Sequence, residues 1–229
     1  MRPHYMEITP LMGELVWNEA PNDELLSWQI GYMDFLKKNW SEKIKEFRQG
    51  FTRISVVWKK ELFQIEFKNS LSETQLKPLP LPEDVWEIPV CYHEEFAPDL
   101  ILLAEQKKLT PSQFIELHSC VLYRIHFFGF LPGFFYLNGL PEILHTPRKS
   151  VPILSVPRGS VAIGGGQTGI YPGESPGGWH IIGRTPISLF DPVTDPPVWA
   201  QPGDRIKFRA IRLEEFKNWP DIKPISSRK

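Results

Sequence analysis

The chain has 229 residues, 41% of them hydrophobic and 23% charged, with a formal net charge of −1, which suits a globular protein of one large domain or two small ones. Near-neutral charge without a block of one sign argues against nucleic acid or an anionic membrane as a default partner. Two cysteines, Cys91 and Cys120, exclude a disulfide framework, and with no apolar run near the roughly 18 residues of a membrane span a cytoplasmic location is expected.

Met6 to Trp17 reads as a strand broken at Gly13. The periodicity then predicts a helix from Asp23 to Lys38, entered through Pro21-Asn22-Asp23, with Leu26, Ile30 and Met33 as its buried stripe. Phe51 to Trp58 is a β-branched and aromatic run, and Leu62 to Lys68 alternates apolar and polar residues, so the two are expected to form a hairpin about Lys59-Lys60-Glu61. Pro78 to Pro82 is a proline-rich connector, and Val85 to Tyr92 returns as a strand. These elements predict a small α/β domain over residues 1–94.

Residues 95–229 are expected to form a second domain. Pro98 suits the first turn of a helix reaching Lys107, and Thr110-Pro111-Ser112-Gln113 is a capping box opening a helix to His118. Val121 to Phe128 reads as a strand. At the far end Asp204 to Ile211 alternates Ile206, Phe208 and Ala210 inward with Arg205, Lys207 and Arg209 outward. The tail after Pro220 is expected to be loose.

Between these strands, Gly129 to Pro192 holds 12 of the 16 glycines and only 7 of the 53 charged residues. Backbone geometry, rather than a solvated surface, is what such a stretch specifies. Short β-prone runs (Ile153 to Val156, Ser160 to Ile163, His180 to Ile182, Ser188 to Phe190) alternate with turn signals such as Pro157-Arg158-Gly159 and Tyr171-Pro172-Gly173. A closed or nearly closed β-barrel with elaborate loops is predicted, making the fold class α+β.

Several motifs in the block fail on context. Gly173-Glu174-Ser175-Pro176-Gly177 fits the nucleophile elbow, but Pro176 has no N–H for an oxyanion hole and Pro-Gly-Gly opens no helix. Gly164 to Gly169 fits G-x-G-x-x-G, yet Ile-Tyr-Pro-Gly follows and gives a pyrophosphate no helix N-terminus. The glycines Gly164, Gly165 and Gly166 remain candidates for an anion-binding loop, with tight barrel packing as the competing reading. Cys91 with His93 and His118 with Cys120 offer four zinc-type ligands, but His118 ends a helix, where the shared face of an i, i+2 pair is lost, and no metal site is expected. Polar residues in so apolar a block either satisfy loop backbone or line a site. Gln167, Tyr171, Glu174 and Arg184 are the candidate substrate contacts, with an Arg184–Asp191 ion pair as the structural alternative for Arg184; His145 and His180 are further candidates, and no catalytic residue stands out.

The runs Gly129-Phe130-Leu131-Pro132-Gly133-Phe134, Gly165-Gly166-Gln167-Thr168-Gly169-Ile170-Tyr171-Pro172, Glu174-Ser175-Pro176-Gly177-Gly178-Trp179, Gly183-Arg184-Thr185-Pro186 and Pro202-Gly203-Asp204 together resemble the family of 5-oxoprolinase B components. That family is also labelled allophanate hydrolase subunit 1 and includes the sporulation-kinase inhibitor KipI. The likeness reaches from Pro89 to Ile211, and His93-Glu94 departs from the glycine pair usual after Cys-Tyr. It implies a cyclophilin-like closed barrel behind the small N-terminal domain. It further implies work with two partners, the KipA-like C component and the A component of 5-oxoprolinase, in opening 5-oxoproline to glutamate with ATP and Mg at the level of the complex, none of it bound by this chain alone. A KipI-like inhibitor of a sensor histidine kinase's autophosphorylation is the alternative that the same resemblance implies.

Overall fold

The computed structural model describes residues 1–71, 74–220 and 225–226. The chain divides into two compact units, Met1–Leu81 and Pro82–Lys229, where the sequence placed the division after Glu94. Val85–Cys91 is claimed by the second unit through parallel pairing along its whole length with Arg205–Ile211. That long-range partner is invisible to a reading of local pattern.

In the first unit, strands β1 (His4–Thr9) and β2 (Met12–Val16) form a hairpin, followed by helix α1 (Asp23–Trp40), strands β3 (Ile44–Gln49) and β4 (Arg53–Trp58), and helix α2 (Glu61–Leu71). The sheet runs β1-β2-β4-β3, every neighbour antiparallel. Asn22 caps α1, its side chain accepting from the Leu25 N–H at 2.8 Å, while Asp23 and Glu24 in the first turn and Lys37 and Lys38 in the last suit the helix dipole. The buried face runs through Leu25, Leu26, Gln29, Tyr32, Leu36 and Trp40; of the predicted stripe Leu26 is fully buried, whereas Ile30 and Met33 are only half-buried because the face is shifted toward Gln29 and Tyr32. The shift follows from Gln29, a polar residue taken into the core because its amide donates to the carbonyls of Gly50 and Phe51.

The predicted hairpin of residues 51–58 with 62–68 is not formed. Leu62 to Lys68 lies inside α2, and β4 finds its partner in β3 instead. A short alternating run fits a helix equally well when its apolar residues also recur at i+4: Phe63, Phe67 and Leu71 do so, and Phe67 is fully buried against Trp40 and Trp58 at ring-centre distances of 5.2 and 5.0 Å. The cost is Leu62 and Ile65, left 57% and 52% exposed.

The second unit contains strands β5 (Val85–Cys91), β6 (Leu122–Phe128), β7 (Phe135–Asn138), β8 (Ile153–Val156), β9 (Ser160–Gly164), β10 (Gln167–Ile170), β11 (Ser175–Gly177), β12 (His180–Arg184), β13 (Arg205–Ile211) and β14 (Ile225–Ser226), with helices α3 (Leu100–Gln106), α4 (Pro111–Ser119) and α5 (Leu213–Lys217). The order β12-β9-β10-β7-β6-β13-β5 closes on itself where β12 meets β5 through the Arg184–Cys91 register, so the barrel has no free edge. Strands β8 and β11 form a separate ribbon, and β14 pairs with β5. The rest of the tail beyond Pro220 lies almost wholly outside the described residues. Thr110 and Gln113 make the predicted capping box of α4. Ser188 to Phe190, expected as a strand, is irregular, although Leu189 is buried, and in β13 it is Ile211 rather than Ala210 that turns inward. No described helix is long and apolar enough to cross a membrane.

The barrel interior holds a buried polar chain centred on a histidine. His118, fully buried at the end of α4, takes Tyr92 Oη at 2.8 Å on Nδ1 and Thr168 Oγ1 at 3.0 Å on Nε2. The Thr168 hydroxyl donates to the Ala162 carbonyl, so its oxygen accepts from Nε2–H, and Nδ1 is left to accept from the Tyr92 hydroxyl. The ring also stacks on Phe208 at 4.8 Å. Burial pushes its pKa down to about 3, so the imidazole is neutral at physiological pH.

Candidate functional site

The glycine-rich block makes a bed for aromatic rings. Strands β9 and β10 are joined by a two-residue turn, Gly165-Gly166, with Gly165 at φ +65°. A Cβ on Gly164 would lie 2.5 Å from the Trp179 ring, one on Gly169 3.0 Å from Phe134, and one on Gly177 2.3 Å from the Tyr171 hydroxyl. Phe134, Tyr171 and Trp179 therefore rest directly on main chain. They pack edge to face, with Phe134 5.7 Å from Trp179 and 5.5 Å from Tyr171, the geometry that ring quadrupoles favour. Phe130 caps the group with its ring 59% exposed and its backbone at φ +69°. A bulky residue there is strained, and strain of this kind collects at ligand sites.

These rings wall a cleft of about 340 Å³, completed by Tyr136, Arg148, Lys149, Pro152, Pro176 and Gly178. The segment carrying the two cations is tied down residue by residue. Thr146 exchanges backbone bonds with Gly165, at 3.0 and 2.6 Å. The Pro147 carbonyl lies 2.9 Å from His180 Nε2, which donates to it. The Lys149 N–H donates to the Gly178 carbonyl at 2.7 Å, and its ammonium pairs with Asp99 at 2.7 Å. Asp99 also accepts the Ile181 N–H, so the Lys149 charge is matched inside the fold.

Arg148, between these anchored neighbours, is different. Its guanidinium lies 5.8 Å from the Trp179 ring centre and makes no hydrogen bond or ion pair among the described residues. It borders both the aromatic cleft and a wider recess of about 550 Å³ toward Gln106, Ser150 and His180. Burial raises the pKa values of Tyr136 and Tyr171, while the Arg148 charge pulls both the other way, as does the Trp179 backbone N–H for Tyr171. Both phenols stay protonated at neutral pH.

Of the four predicted substrate contacts, only Tyr171 lines the cleft. Gln167 is half-buried at the start of β10, where it pairs with Gly164. Glu174 is exposed and accepts from the Ser155 hydroxyl at 2.6 Å. Arg184 sits on the barrel's closing seam, donating to the Arg158 carbonyl at 2.8 Å and covering Phe96 at 5.6 Å. It does not pair with Asp191, which accepts the Val193 N–H and so closes its own turn. His145 is bound to the Leu140 carbonyl. Nor do Gly164, Gly165 and Gly166 present an open row of amides: the Gly165 N–H is committed to Thr146, and the His145 ring stands 3.0 Å from where a Cβ on Gly166 would be. The zinc candidates are scattered, with Cys91 buried, Cys120 exposed and both His118 nitrogens used; no group of three metal-type ligands occurs among the described residues. Arg148 and Trp179 were missed. The signal was there, since Arg148 is one of very few charges in an apolar block and Trp179 follows two glycines.

Residues 11–200 match the family described as carboxyltransferase domain, subdomain C and D. The chain is 54% identical over 122 residues to the B component of 5-oxoprolinase from Escherichia coli O157:H7, covering 53% of this chain and 56% of that one. It is 46% identical over 130 residues to the Bacillus subtilis protein of the same name, covering 57% and 54%. These two matches thus span about half the length of the relatives, whereas the 5-oxoprolinase B component of Haemophilus influenzae is 51% identical over 215 residues, 91% of this chain and 100% of that one. Among solved structures, TTHA0988 aligns with 29% identity and a TM-score of 0.76 over 88% of this chain and 40% of that one. The urea amidolyase of K. lactis aligns over 97% of this chain and 16% of that one with a TM-score of 0.79, and at 16% identity it shows the shared fold alone.

Proposed function

Because the chain belongs to the family of 5-oxoprolinase B components, we propose that it works as that component of an ATP-dependent 5-oxoprolinase, opening 5-oxo-L-proline to L-glutamate together with the A component and a KipA-like C component in the cytoplasm. The observation that carries this reading is the 51% identity running the full length of the Haemophilus influenzae protein. The names of the relatives do not support the kinase-inhibitor alternative, and nothing in the cleft favours it.

Opening a lactam by water requires the amide resonance to be broken, which activation of the amide oxygen by ATP supplies. The Gly164 to Gly169 stretch does not fit a nucleotide phosphate: it continues into β10 rather than a helix, and its Gly165 amide is already bound. ATP with its Mg is therefore assigned to the complex, and no step of it is routed through this chain. What the chain contributes is an aromatic cleft with one uncommitted cation, suited to holding and orienting a small polar ring.

Co-expression with the A and C components, followed by an assay of ATP-dependent glutamate release from 5-oxoproline, tests the reading. Release is expected only with all three chains present, and the isolated chain is expected to be inactive. Undiminished release without this chain overturns the assignment.

A further inference from the structure

We propose that the aromatic cleft is a binding site for a small cyclic monocarboxylate and that Arg148 is the residue that takes its carboxylate. In the setting of the proposed function that ligand is 5-oxo-L-proline, and this identification rests on the 5-oxoprolinase reading; the chemical class rests on the cleft itself.

Three features of the cleft select the class. Its walls are aromatic rings and prolines, flat apolar surfaces that accept a ring of a few atoms, and a cleft of about 340 Å³ admits such a molecule. Its cations number two, but Lys149 is neutralised by Asp99 at 2.7 Å and held in place by the Gly178 carbonyl. One charge is left to meet a ligand, which matches a single carboxylate; a phosphate dianion needs a second cation or an open row of amides. The remaining cation is an arginine, whose planar fork binds a carboxylate through two parallel hydrogen bonds.

Position makes Arg148 more than a surface charge. Its neighbours on both sides are fixed to the barrel at Thr146, Pro147 and Lys149, so its Cα cannot wander. The guanidinium stands 5.8 Å from the Trp179 ring centre, a cation–π placement that holds the group at the cleft wall while leaving its N–H edges unspent. The Trp179 ring is set by Gly164 and Gly169 beneath it. The glycines of the block therefore act on the ligand indirectly, by seating the ring beside which Arg148 stands.

The test uses the full chain labelled for NMR, titrated with 5-oxo-L-proline and with 2-pyrrolidinone, the same ring without the carboxylate, in wild type, Arg148→Gln and Arg148→Lys. Saturable shifts centred on the Trp179 indole are expected for both ligands in wild type. Arg148→Gln should weaken 5-oxo-L-proline about tenfold to a hundredfold, the range of one charge-assisted contact, and leave 2-pyrrolidinone unchanged; Arg148→Lys should restore part of the loss. In the reconstituted complex of all three chains the same Gln variant should raise KM by a similar factor with little change in kcat. No saturable binding by wild type, or equal weakening of both ligands by Arg148→Gln, overturns the proposal. A complex that releases glutamate with KM indifferent to Arg148→Gln sinks the cleft assignment and leaves the 5-oxoprolinase reading standing. Arg148-dependent binding by a chain that supports no release in any complex sustains the cleft and sinks the 5-oxoprolinase reading.

Discussion

The barrel interior around His118 and the cleft beside Arg148 both place a nitrogen-rich side chain among aromatic rings, and they do so to opposite ends. His118 is sealed from water, stacked on Phe208, with each ring nitrogen paired and its charge suppressed. Arg148 stands at an opening, near Trp179, with no hydrogen bond or ion pair among the described residues. A polar group whose hydrogen-bonding capacity is filled by its own fold specifies that fold. One whose capacity is left open at a wall of rings is available to a ligand. The two sites share a strand: Thr168 of β10 completes the His118 chain, while Gly169 beside it supports Phe134 and Trp179.

The strongest way to break the contrast is His118→Ala. It strands the Tyr92 hydroxyl in the interior, takes from the Thr168 oxygen the N–H it accepts while leaving its own donation to the Ala162 carbonyl, and opens a cavity under Phe208. A loss of about 3–5 kcal/mol is expected from truncation of a large buried side chain plus unpaired polar atoms, read as a fall in the denaturant midpoint of the second unit. A loss below about 1 kcal/mol would show that the buried chain is not structural in this sense.

Gly164→Ala comes next. Its Cβ would lie 2.5 Å from the Trp179 ring, so the ring must move, at a cost of about 1–3 kcal/mol. Gly173 has nothing within 4 Å of its Cβ position, and Gly173→Ala is the control, expected within about 0.5 kcal/mol of wild type. Near-ultraviolet circular dichroism should change for the first variant and not the second; equal spectra mean that Trp179 does not rest on Gly164.

The pH dependence of His118 is smaller per step. Its pKa lies at about 3 in the fold against an ordinary 6.5, so below pH 6.5 the unfolded chain takes up a proton that the folded chain refuses. Stability from this residue is intact above pH 6.5 and drains away as pH falls toward 3, by about 1.4 kcal/mol per pH unit at most. Other groups add their own slopes, so the readout is the stability difference between wild type and His118→Gln. It should be level above pH 6.5 and shrink below it. A difference that stays constant down to pH 4 rules out a neutral, buried imidazole.

Much of this was legible from the sequence where local chemistry decides. The Asn22 cap, the Thr110–Gln113 capping box and the barrel itself follow from caps, turns and β-prone runs. What escaped was decided by distant partners. The run Leu62 to Lys68 became helical because Phe67 is needed against Trp40 and Trp58, and Val85–Cys91 joined the second unit because Arg205–Ile211 pairs with it. In the site, Gln167, Tyr171 and Glu174 are picked out by their place on the most glycine-rich loops, on the premise that such loops face ligands, and Arg184 as a charge in an apolar block. The glycines instead sit beneath rings, a relation that sequence adjacency does not encode: Gly164 supports Trp179 across the β9–β12 pairing.

The smallest expected effect is the most informative. Arg148→Gln removes a side chain that is exposed and has no hydrogen bond or ion pair among the described residues, so its stability should stay within about 0.5 kcal/mol of wild type. Its neighbour gives the reference: Lys149→Gln breaks the ion pair with Asp99, whose side chain is only 15% exposed, and a largely buried carboxylate left without its cation should lower the midpoint visibly. Adjacent cations in one anchored segment thus separate by the measurement alone, Lys149 answering to stability and Arg148 to ligand. If Arg148→Gln unfolds the second unit as readily as Lys149→Gln does, Arg148 belongs with His118 among the groups that hold the fold, and the cleft loses the one charge it had to offer.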